Sequence, residues 1–365
     1  MYFKNLDFVR FLAIALVILE HWFATPVSDF FMTGRLGVSL FFTLSGFLIT
    51  GILLSKKEEI DAGKTSTKKA LKIFYIRRSL RIFPIYYLIL IFLYLVKNQE
   101  LIDHKYWYIF YGSNILTYIQ QHWDGLLGPF WSLAVEEQFY LLWPFLIFFI
   151  SKKHILKTLY AFIGLAIISR VISIWAAEQF LQPVDYYVSM VALTPSCFDC
   201  FAIGGLLAYY NLYKDESNRL SKLINSKVFA VVSFIGAAVF LYFKQTYLFY
   251  LFFPTVFSLA SLYVIKYFIS DKKSILRNIA GFKPFIYFGK ISYGIYVYHS
   301  FLFIIVSFCT LTVARFNLSS SFEAWLDNSQ GVFRAFLMIT YLLIICTVSY
   351  FLVEKPMMRL KEKFR

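Results

Sequence analysis

From Asn5 to Trp22 the chain reads NLDFVRFLAIALVILEHW, an apolar run that also carries Asp7, Arg10, Glu20 and His21. A helix turns about 100° and rises about 1.5 Å per residue. Arg10 and His21, eleven positions apart, therefore share a face, with roughly 16 Å of depth between them. Asp7 falls within about 60° of that stripe, whereas Glu20 points about 100° away from His21 and reads as its neighbour rather than its partner. Ionisable side chains inside a bilayer are costly and normally face a protein interior or a wet cavity, which makes each one a functional candidate. The competing readings are a plain anchor or a signal peptide. A signal peptide needs an unbroken apolar core ahead of small residues at a cleavage site, and Ala24-Thr25-Pro26 offers no such site.

The rest of the chain fits a membrane setting. Its 365 residues are 59% hydrophobic, with mean hydropathy +0.65, against roughly 45–50% apolar residues in soluble domains. Forty-three Phe and 27 Tyr suit lipid-facing and interfacial positions. Apolar segments long enough to span a bilayer occur at about 7–25, 36–54, 81–97, 130–150, 155–177, 190–211, 227–243, 247–269, 285–313 and 332–353. The expectation is an all-α polytopic membrane protein of about ten transmembrane helices, a single domain over 1–365 with no appended soluble domain. The aromatic segment 104–120, broken at Gly112-Ser113-Asn114, reads as interfacial or re-entrant.

A net charge of +15 could indicate nucleic acid, but the cations lie in short runs between apolar segments. With the N-terminus inside, Lys56, Lys57, Lys64, Lys68, Lys69, Lys72, Arg77, Arg78 and Arg81 fall on the cytoplasmic side, followed by Lys152, Lys153 and Lys157 and later basic runs. The outer connections hold only Arg35, Lys97, Lys105, Lys244, Arg315 and Arg334. That asymmetry predicts cytoplasmic termini at both ends and no nucleic-acid partner. Cys197, Cys200, Cys309 and Cys346 all sit in apolar stretches. The lone CxxC has no second pair or adjacent His, so the four read as small core residues and no metal is expected.

Orientation converts position into depth. Arg10 falls near the cytoplasmic end of the first helix and His21 near its outer end. The fourth span opens PFWSLAVEEQFYLLWP from Pro129, which predicts Glu136 and Glu137 in the outer half at a depth similar to His21. A histidine with a carboxylate near it can accept and return a proton close to neutral pH, a general base for a hydroxyl. The alternative is a structural polar cluster tying helices together. On the cytoplasmic side, FYIRRSLRIFPIYY places Arg77 and Arg81 one helical turn apart. Guanidinium forks match phosphate oxygens; ordinary topology charge or contact with anionic headgroups is the competing account. The same intramembrane His, Glu and Arg would also serve a proton-coupled transporter or flippase of a surface-polysaccharide precursor.

Six segments in order resemble the integral-membrane acyltransferase-3 family, whose bacterial members O-acylate cell-surface saccharides. They are Asn5-Leu6-Asp7-Phe8-Val9-Arg10-Phe11 with Glu20-His21, the run from Gly37 to Ile49, Arg77-Arg78-Ser79-Leu80-Arg81-Ile82-Phe83-Pro84, the run from Trp131 to Tyr140, Gly289 to His299, and Ser349 to Pro356. The resemblance implies a bacterial inner-membrane O-acyltransferase, in its commonest form an O-acetyltransferase. It further implies acetyl-CoA or another acyl-CoA as co-substrate, no permanently bound cofactor, and a saccharide or lipid-linked glycan as acceptor. It assigns His21 to catalysis, with Glu136 or Glu137 beside it. Arg10, Arg77, Arg78 and Arg81 become the grip on the CoA phosphates. Asp7, Ser45, Tyr140, Asp199, Ser292 and His299 are expected to be structural or to line a channel. Several positions depart from the family. Phe8 and Phe11 replace glycines, Ser39 stands where Asp is common, and Cys197 stands where an Arg often precedes Asp199. Arg170 is then the candidate partner for Asp199.

Overall fold

The computed structural model describes residues 5–23, 26–123, 125–214, 219–244, 246–270, 274–302, 305 and 332–360. Cys309, Arg315, the side chain of Arg334, Ala24-Thr25 and most of the predicted span 285–313 beyond residue 302 lie outside the described residues. The chain divides into two compact units, residues 1–74 with 99–289, and 75–98 with 290–365.

The first unit holds α1 (Leu6–Trp22), α2 (Pro26–Phe31), α3 (Thr33–Asp61) and the start of α4 (Thr67–Leu95). It continues with α5 (Gln99–Ile109), α6 (Ser113–Gln120), α7 (Phe130–Phe149), α8 (Lys152–Phe180), α9 (Tyr186–Val191) and α10 (Phe198–Tyr213). α11 (Arg219–Asn225), α12 (Lys227–Tyr242), α13 (Tyr247–Ile269), α14 (Ile275–Ala280) and α15 (Lys283–Lys290) complete it. The second unit holds the remainder of α4, then α16 (Ser292–Tyr298), α17 (Val332–Ser349) and α18 (Lys355–Leu360). Among the described residues there is no strand, in keeping with the all-helical expectation.

α3 is the axis of the first unit, packed against α1, α7, α10 and α13. Its contacts fix directions. Gly37 abuts Ala13 and Gly34 abuts Glu20, so α1 runs antiparallel to α3. Phe42 meets Trp131, Thr50 accepts from the Trp143 indole at 2.8 Å, and the buried Lys57 ammonium donates to the Phe148 carbonyl at 3.0 Å. α7 therefore runs parallel to α3, and Lys57 places its charge on the negative end of α7. α10 is parallel too: Phe42 packs on Phe201 and the Tyr213 hydroxyl donates to Glu58 at 2.8 Å. These are the second, fourth and sixth predicted spans, which alternation requires to point one way. The α3–α10 seam closes to backbone contact at Gly46 and Gly204. A Cβ at either would lie 2.1 Å from the Phe201 carbonyl oxygen or 2.0 Å from that of Thr43.

Among the described residues, six helices are long and apolar enough to cross a membrane, or seven if α11 and α12, bent by 68°, count as one broken span. The sequence expects ten segments, and the difference lies in short helices, in breaks, and in the part of 285–313 outside the described residues. α1 has 17 residues, about 25 Å of rise. The predicted span 190–211 divides into α9, a 3-10 turn at Thr194–Cys197 and α10. Pro195 lacks an N–H and restricts the residue before it, while the Asp185 carboxylate caps α9 by accepting from the backbone N–H of Tyr187 and Val188. The predicted span 285–313 is interrupted at Ile291 between α15 and α16. The segment 104–120 folds as α5 and α6, with the break at Tyr111 (φ 54°) and Gly112 that its sequence anticipated.

The second unit is tied by side chains. The Tyr293 hydroxyl donates to the Ile82 carbonyl at 2.9 Å, and α16 packs on α17, where the Tyr298 and Ser349 hydroxyls lie 2.9 Å apart.

Candidate active site

α1 carries two polar ends. At its start the Arg10 guanidinium pairs with Asp7 at 2.5 Å, one turn away. Asp7 is buried, and its backbone is pressed by Gly289, where a Cβ would lie 1.8 Å from the Asp7 carbonyl oxygen. Asp7 therefore fixes both the charge partner of Arg10 and the packing of the first turn. At the other end His21 lies in the last turn of α1. The Glu20 carboxylate beside it accepts the Gly34 N–H at 2.8 Å, at the top of α3.

Glu136 lies elsewhere. Its carboxylate accepts from the Ser45 hydroxyl at 2.6 Å, and Ser45 is 3.2 Å from the Tyr140 hydroxyl. Ser45 is eleven residues further along α3 than Gly34, about 16 Å. This corrects the expected shared depth: Glu136 sits well below the turn that carries His21, and the carboxylate at the level of His21 is Glu20. The expectation failed because depth was counted from the start of α7, whereas α7 begins beside Phe42, already well down α3. Glu137 is half-buried on the next position of α7. Gln138, about 200° around the helix from Glu136, faces the other way. It donates to the Tyr111 carbonyl at 2.8 Å and to Asn114 at 2.9 Å, and accepts from Thr194, binding α6 and the 3-10 turn to α7.

Around Glu20 the ends of five helices line a half-open cavity of about 410 Å³ whose walls include Asp29, Arg35, Asp185, Tyr187, Lys244 and Tyr250. The Arg35 guanidinium lies 3.4 Å above the Tyr187 ring. Burial pushes the Tyr187 phenol well above its ordinary pKa, so the ring under that cation stays neutral. Sequence reasoning passed over Glu20, Arg35 and Lys244. A signal was present: so few cations occur in the outer connections that Arg35 and Lys244 stand out.

The Asp199 partner is Arg170, at 2.6 Å with both side chains fully buried. All five guanidinium N–H groups find acceptors in Asp199, the Ser196 and Leu251 carbonyls and Thr255. Asp199 also accepts from the Cys200 N–H and the Thr255 hydroxyl. This cluster is a closed clamp between α8, α10 and α13. Cys197, in the place of the expected arginine, turns its thiol to the Val191 carbonyl at 3.2 Å.

In the second unit, Arg77, Arg78 and Arg81 lie within α4, which starts at Thr67, so Arg77 and Arg81 stand one helical turn apart as the sequence predicts. Arg77 is exposed, and Arg78 and Arg81 are half-buried. His299 is buried, with Nδ1–H donating to the Tyr296 carbonyl at 2.6 Å and Nε2 3.3 Å from the Ser300 hydroxyl. Ser292 is buried in the first turn of α16.

Comparison with known proteins bears on this arrangement. The model of a family described as an acyltransferase domain, acyltransferase-3, matches residues 3–353. The chain is 29% identical over 97% of its length to the peptidoglycan O-acetyltransferase OatA of Listeria monocytogenes serovar 1/2a, covering 56% of that protein. It is 27% identical over 82% of its length to the O-acetyltransferase OatA of Staphylococcus aureus strain NCTC 8325, covering 50% of that protein. The chain thus spans about half the length of these relatives. No solved structure matches it.

Proposed function

The chain belongs to the acyltransferase-3 family, and from that premise we propose that it is a multi-pass O-acyltransferase of the bacterial inner membrane, in the first instance an O-acetyltransferase. In this reading one domain over 1–365 crosses the membrane about ten times with both termini inside. Cytoplasmic acetyl-CoA is the donor, its phosphates held by Arg10, Arg77, Arg78 and Arg81. Asp7 orients Arg10 through their ion pair. The acceptor is a hydroxyl of a cell-surface or lipid-linked glycan, a class to which the peptidoglycan in the name of the Listeria relative belongs.

His21 takes the proton of the acceptor hydroxyl, whose oxygen forms a new ester bond to the acyl carbon as the carbon–sulfur bond breaks. The proton returns to the departing CoA thiolate. Transfer is direct or passes through an acyl-enzyme. Glu20, tethered to Gly34, supports the imidazolium; Glu136, with Ser45 and Tyr140, lines the route between the two ends of α1. The observation that carries this reading is the polarity of α1: a fixed arginine at one end, and at the other a histidine beside a carboxylate that walls a cavity. Purified protein in detergent is expected to bind acetyl-CoA, and Arg77→Glu with Arg81→Glu to abolish that binding. A wild-type protein with no specific acetyl-CoA binding, but with ion-coupled uptake of a glycan precursor in vesicles, would contradict it.

A further inference from the structure

The cavity beside Glu20 has a composition that specifies a ligand class. Its volume, about 410 Å³, falls in the range of small-molecule sites, roughly 300–1,000 Å³. Its walls come from the end of α1, from α2, from the start of α3, from the N-terminal side of α9 and from the start of α13, all within the first unit. Much of the wall is held in place. Glu20 is fixed by the Gly34 N–H, and Asp185 by the first turn of α9. Arg35 is held over Tyr187, and the Lys244 ammonium is 3.3 Å from the backbone carbonyl of Asp29. Stacking on a ring consumes none of the five N–H donors of a guanidinium, and Arg35 directs one of them to the Met32 sulfur at 3.7 Å.

Three carboxylates face two cations across this space. A polyanion such as a nucleotide would meet repulsion on most of the wall, and a lipid tail would strand five charges without water. A pyranose satisfies each element. Its hydroxyls donate to carboxylates and accept from Arg35 and Lys244, while its C–H face lies against aromatic rings. Tyr250, stacked on Tyr186 on one side, supplies such a ring on the α13 side.

We propose that this cavity is the acceptor subsite and takes one sugar ring of a glycan through Asp29, Arg35 and Tyr250. The assignment rests on the acyltransferase reading, because the cavity is walled by Glu20, the residue that precedes His21 in the last turn of α1. Asp29 and Tyr250 are binding residues here, and the charge on Asp29 is the element that a hydroxyl-bearing ligand uses and a hydrophobic one does not.

The test uses a soluble tetramer of N-acetylglucosamine as probe, with the full chain in detergent and binding read by saturation-transfer NMR. Wild type is expected to transfer saturation to the sugar C–H protons. Asp29→Asn, a conservative change at an exposed site, and Tyr250→Ala are each expected to weaken binding about three- to tenfold. Arg77→Glu with Arg81→Glu should leave sugar binding unchanged while acetyl-CoA binding is lost. No transfer from wild type, or equal binding by wild type and both cavity variants, overturns the subsite. Sugar binding by a wild-type protein that binds no acetyl-CoA leaves the subsite standing and removes the donor assignment, so the two failures are distinguishable.

Discussion

Arg170 and Arg35 face carboxylates within one unit, yet their settings are opposite. Arg170 is fully buried, with every N–H engaged and its partner Asp199 bonded on both oxygens. Arg35 lies over a tyrosine at the wall of a cavity, near a Glu20 that a single backbone N–H tethers. The closed cluster has no capacity left for a ligand; the open one has donors and acceptors facing empty volume. A cluster of charges is thus a functional signal only after its partners are counted, because a saturated cluster serves packing.

The comparison breaks most sharply at the closed cluster. Arg170→Ala leaves Asp199 charged and buried, and is expected to cost about 3–5 kcal/mol, read as loss of folded protein in detergent extracts. A fully stable, active Arg170→Ala would make the two clusters alike. Next in size, Gly204→Ala forces a methyl onto the Thr43 carbonyl and should cost about 1–3 kcal/mol, read as a lowered melting temperature. Glu20→Gln belongs to the open cluster. Melting should hardly move, while transfer falls about tenfold or more, with an altered pH profile because a neutral amide supports an imidazolium poorly. At the small end, Lys152→Ala removes an exposed ion pair to Glu58 and should shift stability by less than about 1 kcal/mol.

The sequence already carries the helical class and the polar stripe of α1, which follow from hydropathy and helical periodicity, while the Arg170–Asp199 pairing follows from the family resemblance, which leaves Asp199 without its usual arginine. The helix break at Gly112 was legible for a local reason. What escaped was set by tertiary offset. Glu136 was assigned to the level of His21 because the start of a helix was equated with the membrane surface, whereas α7 begins beside Phe42 of α3. The division of 190–211 depends on the cap at Asp185 acting together with Pro195, and a hydropathy window averages over both. Glu20 was set aside by its angle to His21, an angle that says nothing about the Gly34 N–H waiting on another helix.

The central claim is that α1 joins a donor end to a catalytic end at His21. Its most direct test is transfer of labelled acetyl from acetyl-CoA to a glycan acceptor by protein reconstituted in vesicles, wild type against His21→Ala. The expected result is unchanged acetyl-CoA binding with transfer reduced at least about a hundredfold. Transfer by a folded, inserted His21→Ala at the wild-type rate would contradict it.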